Sequence, residues 1–305
     1  MNITNNKYFV YINEDEPHFH QPRVSENFIS LSEFKTAYIT NVVHNYSIKY
    51  TLSGTEHYKI NNKEFQVPEM SFLTASGPCD SVGFFESKSL VKGLCIDISL
   101  DIVNEALTIL SANGEVDLEN NLARYFKSEN FFENVYPVTN SELGLKLFSL
   151  AKRIKTENRD ITFINEEIFL ELAESVIRLE FENLKKLNSL SSLKISTKKE
   201  ILKRLLQGKS YIDDNFKEKM EVKDIARTSC LSEFHFFRSF KEAFGTSPHN
   251  YLIKRRLIEA QKLLMKNNSP VGDIAFECGF ADIHSFSKSF KKHFGFPPSN
   301  QPIKN

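Results

Sequence analysis

One structural unit occurs twice near the end of this chain. Residues 224–248 read DIARTSCLSEFHFFRSFKEAFGTSP, and residues 273–298 read DIAFECGFADIHSFSKSFKKHFGFPP, with one extra residue near Ala281. Three phenylalanines, a glycine and a proline recur at matching positions, and they are Phe236, Phe240, Phe244, Gly245 and Pro248 in the first copy and Phe286, Phe290, Phe294, Gly295 and Pro298 in the second. The repeat requires a fold in which the same small unit forms twice.

Each copy predicts two helices that are separated by a short turn. The phenylalanines of a copy lie four residues apart, which places them on one face of an α-helix, and a glycine follows where a C-terminal cap is expected. A shorter apolar-periodic segment precedes each of these helices, and Ser232 and Asp282 stand at the N-cap positions. This is the pattern of a helix-turn-helix. In the second turn Gly279 suits a positive φ, whereas its counterpart Cys230 adopts that conformation only at a cost.

From about Thr197 to Asn300 the sequence resembles the DNA-binding region of the AraC/XylS family of bacterial transcription regulators. The resemblance rests on the paired DIA segments, on the FxxxFKxxFGxxP endings and on KRRLIEAQKLL at 254–264, which reads as a long helix joining the two modules. It implies sequence-specific binding to double-stranded DNA, RNA polymerase as a partner and activation as the commoner role, with repression as the alternative. An accidental repeat in a helical bundle, or a helix-turn-helix used for protein contacts, is the other interpretation.

Charge favours the DNA-binding interpretation. Residues 196–305 contain 20 Lys and Arg against 12 Asp and Glu, a net charge of +8, whereas residues 1–195 contain 19 against 27, a net charge of −8. A basic region suits a phosphate backbone, because each neutralised phosphate releases counterions and adds affinity that falls with salt. We therefore expect the C-terminal part to bind DNA and the acidic N-terminal part to stay off it.

The faces of the two recognition helices opposite their phenylalanines carry the predicted DNA contacts. Base contacts in the major groove are predicted for Phe234, Phe237 and Arg238 in the first helix and for Ile283, His284, Ser287 and Lys288 in the second. Arg238 is the strongest candidate, because its planar fork can bond O6 and N7 of a guanine; a phosphate contact is the alternative. For Phe234 and Phe237 the alternative is burial against the linking helix. Phosphate contacts, or else an ordinary solvated face, are predicted for Lys241, Arg255, Lys291 and Lys292.

The first half of the chain predicts strands. From residue 47 to 76 it reads SIKYTLSGTEHYKINNKEFQVPEMSFLTAS, in which short alternating segments are broken by the turns Ser53-Gly54, Asn61-Asn62 and Pro68-Glu69. The alternation predicts apolar residues on one face of successive antiparallel strands, namely Ile48, Tyr50, Leu52, Tyr58, Ile60, Phe65 and Val67. GTEHYKINNKEFQVPEM, at 54–70, is similar to the cupin-like barrel that precedes the DNA-binding region in many members of the family. That resemblance implies a small effector in a cavity lined by inward side chains.

Two apolar stripes follow the predicted strands at helical spacing. They consist of Leu143, Leu147, Leu150 and Ile154 in one helix and of Phe169, Leu172, Val176 and Leu179 in the next. Spacing that alternates between three and four residues is typical of the seam between antiparallel helices, and it predicts the interface of a homodimer. Packing of both helices beneath the barrel is the alternative.

The whole chain is predicted to be an α+β protein of two domains. Residues 1–190 form the cupin-like sensing and dimerisation domain, with a β-barrel over about 1–100 and helices over about 101–190. A linker at 191–197 leads to the all-α domain at 198–305, in which a long helix joins two helix-turn-helix units. No stretch has the composition of a signal peptide or a membrane span, which predicts a cytoplasmic protein.

Catalysis and metal binding have little support in the sequence. His18 and His20 would share one face of a strand, but the glutamate and third histidine of metal-binding cupins do not follow them. Residues 1–22 are better explained as an arm or a first strand. The four cysteines form no C-x-x-C pair and are expected to be reduced and structural, with a thiol sensor at Cys79 as the alternative. We expect no cofactor and no enzyme; the rival hypothesis is a cupin-type enzyme fused to a DNA-binding domain.

Overall fold

A computed structural model shows an α+β protein with a β-sheet in its N-terminal part and helices in its C-terminal part. It describes residues 6–14, 26–116, 125–126, 131–156, 161–192, 194–266 and 269–300. Contacts divide the chain into two compact units, Met1–Asn183 and Leu184–Asn305. The mixed fold class is confirmed, while the domain boundaries and the linker at 191–197 remain predictions. His18 and His20 lie outside the described residues.

The N-terminal unit contains eight strands within the described residues. They are β1 (Phe9–Asn13), β2 (Phe28–Val43), β3 (Tyr46–Ser53), β4 (Thr55–Ile60), β5 (Lys63–Pro68), β6 (Ser71–Ser76), β7 (Cys79–Ile98) and β8 (Asn134–Pro137). The hydrogen-bonded order is β1-β2-β7-β3-β6-β8, and β4 pairs with β5 and with β7. Strand β7 holds the sheet together, since its first half pairs with β4 and its second half with β3. This path does not close on itself among the described strands, so the sheet is open where the sequence predicted a barrel.

The turns between the central strands lie where the sequence predicts them. Gly54 separates β3 from β4 with a φ of 81°. Asn61 and Asn62 join β4 to β5 with φ angles of 47° and 65°, the two successive positive values that a tight hairpin of primed type requires. Asparagine tolerates this conformation better than most residues, because its short polar side chain bonds locally. These turn predictions are confirmed.

The prediction that one apolar face runs through all these strands is wrong for β3. Ile60, Phe65 and Val67 are buried in one cluster together with Leu73 of β6. Leu73 lies directly opposite Lys49 of β3. The face that meets this cluster therefore carries Lys49, while Ile48, Tyr50 and Leu52 point to the other side of the sheet. Strand β3 is buried on both faces over most of its length, so alternation could not show which face joins which layer.

In the part of the chain that the structure describes, three long α-helices lie before the C-terminal helical region, together with a short 3-10 helix at Val138–Asn140. The α-helices are α1 (Leu100–Ala112), α2 (Glu142–Thr156) and α3 (Glu166–Ser189). Seven of the eight predicted dimer contacts are buried within the chain itself, namely Leu143, Leu147, Leu150, Ile154, Phe169, Leu172 and Val176. Leu179 is half-buried. This burial favours the alternative, packing within the unit, because a side chain covered by its own chain has no surface left for a partner. Dimerisation itself remains a prediction.

The C-terminal unit is helical in its described residues. Its helices are α4 (Ile195–Asn215), α5 (Val222–Thr228), α6 (Glu233–Phe244), α7 (Pro248–Lys266), α8 (Val271–Glu277) and α9 (Ile283–Phe294), followed by a short 3-10 turn at Pro298–Asn300. The predicted linking helix at 254–264 is thus confirmed as part of α7. None of the helices that the structure describes is long and apolar enough to cross a membrane.

Capping residues set the ends of α6 and α9 as the sequence predicts. The Ser232 hydroxyl accepts a hydrogen bond from the His235 N–H, and the Asp282 carboxylate accepts one from the Ser285 N–H at 2.7 Å. Both helices end at a glycine in the left-handed conformation, Gly245 with a φ of 68° and Gly295 with a φ of 85°. Because the caps satisfy end groups that would otherwise lack partners, helix lengths in the two copies match.

The repeated phenylalanines form the core of each helix pair. Phe236, Phe240, Phe286 and Phe290 are fully buried. The second pair packs on α7 through a cluster of small and large residues, namely Leu257, Ala260, Leu264, Ile274, Ala275, Cys278, Phe280, Phe286 and Phe290. Alanines in this cluster allow the helices to approach closely, and the rings fill the remaining space.

The turns within the two helix pairs share one backbone conformation. Cys230 has a φ of 51° and Gly279 a φ of 85°, so both positions are left-handed. A Cβ atom on Gly279 would come within 2.5 Å of the Lys217 carbonyl oxygen. Cys230 is exposed and meets no such obstacle. The first turn therefore has room for a side chain in the left-handed conformation, at some cost in free energy, whereas a side chain at Gly279 would clash with the backbone.

Opposite substitutions in these two turns test this difference. Cys230→Gly should raise the free energy of unfolding by about 1 kcal/mol, because it removes the penalty of a side chain in the left-handed region. Gly279→Ala should lower it by at least about 2 kcal/mol, because the same penalty is joined by a clash with backbone. Urea denaturation of the full chain measures both. Equal losses for the two variants would contradict the explanation.

Candidate nucleic-acid interface

Helix α6 presents a mixed aromatic and basic surface opposite its buried face. Phe234 is 77% exposed and Phe237 is 43% exposed. Arg238 and Lys241 are exposed beside them. The alternative prediction, burial of Phe234 and Phe237 against the linking helix, is therefore wrong. Exposed phenyl rings are costly in water, and they suit apolar partners such as thymine methyl groups or sugar edges.

Arg238 is exposed but engaged. Its Nε donates to Glu242 Oε1 at 3.1 Å, and its Nη2 lies 3.5 Å from Ser191 Oγ. Partial burial alone would raise the pKa of Glu242, but hydrogen bonds from Ser191 and Arg238 lower it. The Arg238 side chain is 59% exposed, and an ion pair of this kind contributes less than about 1 kcal/mol. If Arg238 left Glu242 to contact a guanine edge, the free energy lost with the ion pair would thus be small compared with the free energy gained from the new contact.

Helix α9 presents the equivalent surface in the second copy. His284 and Lys288 are exposed, Ile283 is 41% exposed and Ser287 is half-buried. Asp282, just before the helix, uses both carboxylate oxygens on Ser285, with distances of 2.7 Å to its N–H and to its hydroxyl. The backbone and hydroxyl hydrogen bonds from Ser285 lower the pKa of Asp282. The cap fixes the first turn of α9, and with it the direction in which His284 projects.

Among the predicted phosphate contacts the lysines differ from the arginine. Lys241, Lys291 and Lys292 are exposed and form no ion pair with any residue that the structure describes. Arg255 is partly buried, with its Nη1 3.3 Å from Glu259 Oε2 and its guanidinium 4.3 Å from the centre of the Phe216 ring. Both contacts hold the Arg255 guanidinium against other residues of the C-terminal unit. A phosphate contact by Arg255 has no support from this geometry and remains a prediction.

Arg256 has a structural role that the sequence analysis missed. It is 8% exposed, and it donates from Nε to the Phe216 carbonyl oxygen at 2.6 Å and from Nη2 to the Glu218 carbonyl oxygen at 2.7 Å. A signal was present, because position 256 lies four residues after Leu252 and four before Ala260, on the buried face of α7. The run of three basic residues concealed this register.

Phe276 was also missed. It is 59% exposed at the end of α8, and it occupies the position of the exposed Arg227 at the end of α5. The alignment of the two copies was enough to pair these residues, but exposure could not be read from a seven-residue helix. Within the described residues no group of three His, Cys, Asp or Glu side chains is placed to hold a metal ion.

Comparisons with known proteins found similarity in the C-terminal part of this chain. Residues 225–301 match a family model described as a helix-turn-helix domain. The transcriptional activator RhaS of Enterobacter sp. (strain 638) is 36% identical over 95 residues, which are 31% of this chain and 34% of that protein. The lactose operon transcription activator of Staphylococcus xylosus is 33% identical over 84 residues, 28% of this chain and 30% of that protein. The match thus spans about a third of these curated relatives.

One solved structure is also similar to part of this chain. The crystal structure of a transcriptional regulator of the AraC-type DNA-binding domain-containing proteins, from Chromobacterium violaceum, is similar to 32% of this chain and 88% of that chain. The sequence identity is 30% and the TM-score is 0.31. Both copies of the repeat fall largely within the residues that match the family model. Residues 225–301 thus match a helix-turn-helix domain, and the similarity to the relatives named here is confined to about a third of the chain.

Proposed function

We propose that this protein is a sequence-specific transcription regulator whose helices α6 and α9 each enter a major groove of double-stranded DNA. In this proposal each helix pair, α5–α6 and α8–α9, acts as one helix-turn-helix unit. Two modules joined by one helix would read successive major grooves on one side of the duplex, about 34–36 Å apart in straight DNA. A single chain would then cover nearly two helical turns.

The observation that carries the proposal is the matched exposure of the two recognition helices. In each helix the phenylalanines that recur in both copies face inward, while side chains able to contact base edges face outward, with Arg238 and Lys288 at equivalent positions of the repeat. Arginine and lysine are the side chains that most often read guanine. Exposed lysines near the ends of both helices would hold the phosphates. The net charge of +8 over residues 196–305 supplies sequence-independent affinity.

Activation is the role that we propose for the regulator. Both curated relatives named above are activators by name, although each matches over only about a third of its length. An activator needs a contact with RNA polymerase, which we propose as its protein partner. The N-terminal unit would bind a small effector, in a fold of the cupin type, and would join two copies in a homodimer. A repressor with the same interface is the second candidate.

Selection of genomic DNA fragments by the purified full-length protein, at two salt concentrations, tests the proposal. Backbone attraction falls steeply with salt, whereas base readout survives as a sequence preference. We expect a motif that spans two groove turns and is retained at the higher salt. Binding that is blind to sequence and lost at higher salt would contradict a specific regulator.

Substitutions in the two helices should separate the two halves of the motif. Arg238→Ala should relax the base preference in one half, and Lys288→Ala or His284→Ala should relax it in the other, each at a cost of about 1–3 kcal/mol. Lys262→Ala, on the exposed side of α7, serves as the control and should leave the motif unchanged. The same selection reads out all four variants, and an unaltered motif for Arg238→Ala would rule out its assigned role.

Replacing a phosphate contact should give a different signature. Lys291→Gln should weaken binding to all sequences alike, and it should reduce the slope of log affinity against log salt by about 1. The base preferences should stay unchanged, because phosphates carry no direct sequence information. Titrations of one DNA site at several salt concentrations measure the slope. A loss confined to particular base pairs would reassign Lys291 to base readout.

A further inference from the structure

The N-terminal unit contains a cavity of about 590 Å³ between one face of the sheet and helix α2. This volume falls in the range of small-molecule sites. Strands β1, β2, β3 and β7 form one wall, and residues 148–155 of α2 form the other. The cavity is partly open to solvent, so a small molecule could enter it.

The register of the sheet places this cavity on the side away from the core cluster around Leu73. Tyr50 lies directly opposite Leu94, Leu94 opposite Leu31, and Leu31 opposite Tyr11, so these four side chains share one face. All four line the cavity. The cavity therefore lies on the opposite side of the sheet from the cluster that contains Ile60, Phe65 and Val67.

Four aromatic side chains lie among the apolar residues that line the cavity. Phe9, Tyr11 and Tyr50 come from the sheet, and Phe148 comes from the helix. Phe148 is 44% exposed although it borders this cleft. Rings on opposite walls offer edge and face contacts to a further flat ring between them. The lining thus suits a ligand with an aromatic, apolar body.

The charged groups at the cavity are mainly cationic. Lys92 lies on the sheet wall, where its Nζ is 2.9 Å from Glu33 Oε1, and Lys152 and Lys155 lie on α2. The three lysines outnumber the one carboxylate, so the lining has an excess of positive charge. Lys155 forms no ion pair with the residues described by the structure and is exposed beside the cleft. An anionic group on a ligand would gain a charge-assisted hydrogen bond there.

We propose that this cavity binds a small carboxylate with an aromatic body, the acid group meeting the lysines of α2 and the ring lying between Tyr50 and Phe148. Its regulatory meaning rests on the function proposed above, in which such a ligand would be the effector. Binding itself does not depend on that function. Ala151 lines the cavity on α2 between Phe148 and the two lysines. A larger residue at this position would therefore fill the cavity.

Calorimetric titration of the full-length protein with three probes tests the proposal. We expect 4-phenylbutanoate to bind with a stoichiometry of one per chain. The matched alcohol, 4-phenylbutan-1-ol, should bind about tenfold more weakly, as the loss of one charged hydrogen bond predicts. Butanoate, which has the acid group without the ring, should give no measurable heat. Equal affinities for acid and alcohol, or no binding of the acid, would overturn the proposal.

Variants locate the binding to this cavity. The double substitution Lys152→Gln and Lys155→Gln should weaken acid binding about tenfold and leave alcohol binding unchanged. Lys146→Gln, an equally conservative change on the same helix outside the cavity, should change neither. Ala151→Phe should abolish binding of both aromatic probes, and circular dichroism verifies that it folds. Normal binding by a folded Ala151→Phe protein would place the ligand elsewhere.

The result is separable from that of the DNA experiment. Fragment selection is performed on ligand-free protein, so a specific motif without any acid binding would reject the ligand and keep the regulator. Acid binding without specific DNA recognition would keep the cavity and reject its regulatory meaning. With both present, adding 4-phenylbutanoate to the selection shows whether the two sites are coupled, and Ala151→Phe is the control that should abolish any such change.

Discussion

Replacing Arg256 with methionine is expected to lower the free energy of unfolding of the C-terminal unit by about 3 kcal/mol. The guanidinium donates to the carbonyl oxygens of Phe216 and Glu218, and methionine keeps the stem of the side chain but leaves both carbonyls without that donor. These carbonyls belong to the connection between α4 and α5. The substitution should therefore loosen the attachment of α7 to this connection and displace the second helix pair from the first.

Hydrogen exchange of the full chain measures this effect directly. Amides of α8 and α9 should lose protection in Arg256→Met, and affinity for a two-groove DNA site should fall more than affinity for half of that site. Arg255→Met is the matched control, because Arg255 is only partly buried and its acidic partners keep a second cation each, Lys209 for Asp213 and Lys262 for Glu259. It should change stability by less than about 1 kcal/mol. Equal effects from the two neighbours would contradict the structural role of Arg256.

The N-terminal unit is expected to be more stable at pH 5 than at pH 8, and Glu180→Gln should remove a large part of that difference. Glu180 is fully buried, and burial raises the pKa of its carboxyl to about 7, against an ordinary value of 4.5. Hydrogen bonds from Asn183, Tyr46 and Tyr125 offset only part of this effect. Burial raises the pKa of Glu56 to about 7 as well, so that two carboxyls act in the same direction.

The direction of this pH dependence follows from whether the folded or the unfolded state keeps the Glu180 proton. Between pH 4.5 and 7 the unfolded chain releases the Glu180 proton while the folded unit retains it, so stability falls as pH rises and then stays constant above 7. A shift of this size corresponds to about 3 kcal/mol. Glu180→Gln imitates the protonated carboxyl. It should match the parent protein near pH 4.5 and exceed its stability by about 3 kcal/mol at pH 8.

Urea denaturation at several pH values, followed by the near-ultraviolet circular dichroism of tyrosine, tests this prediction. Eight of the ten tyrosines lie before residue 184, and the chain has no tryptophan, so the signal reports mainly on the N-terminal unit. Glu171→Gln, an exposed change on the same helix, should leave the pH profile unaltered. A parallel profile for Glu180→Gln and the parent protein would show that Glu180 titrates alike in both states.

Local patterns were sufficient for the helix pairs of the C-terminal unit. The four-residue spacing of the phenylalanines, the caps at Ser232 and Asp282 and the closing glycines are short-range features, and each acts through hydrogen bonds or packing within a few residues. For the same reason the strand turns, such as Asn61-Asn62, could be placed from the sequence. The burial of the phenylalanines then left one outward face on each helix for the predicted DNA contacts.

Short-range sequence patterns could not predict which face of an element meets which layer where both of its faces are buried. Strand β3 alternates as expected, yet its apolar residues and Lys49 face different layers, and no local signal distinguishes the layers. The stripe from Leu143 to Ile154 shows that α2 has an apolar face. It does not show that the chain's own residues cover that face, which is a matter of tertiary packing.

The sequence by itself determined that this chain folds one helix pair twice, where each pair begins and ends, and which face of the second helix in each pair is exposed. Only the tertiary structure decided the roles of Arg256 and Glu180, the pairing of Arg238 with Glu242 and the position of the cavity beside α2. The physical reason is the distance along the chain between the residues that interact. Caps, turns and helical periodicity depend on neighbours in the chain, whereas burial of a charge or the opening of a cavity depends on groups brought together from distant parts of it.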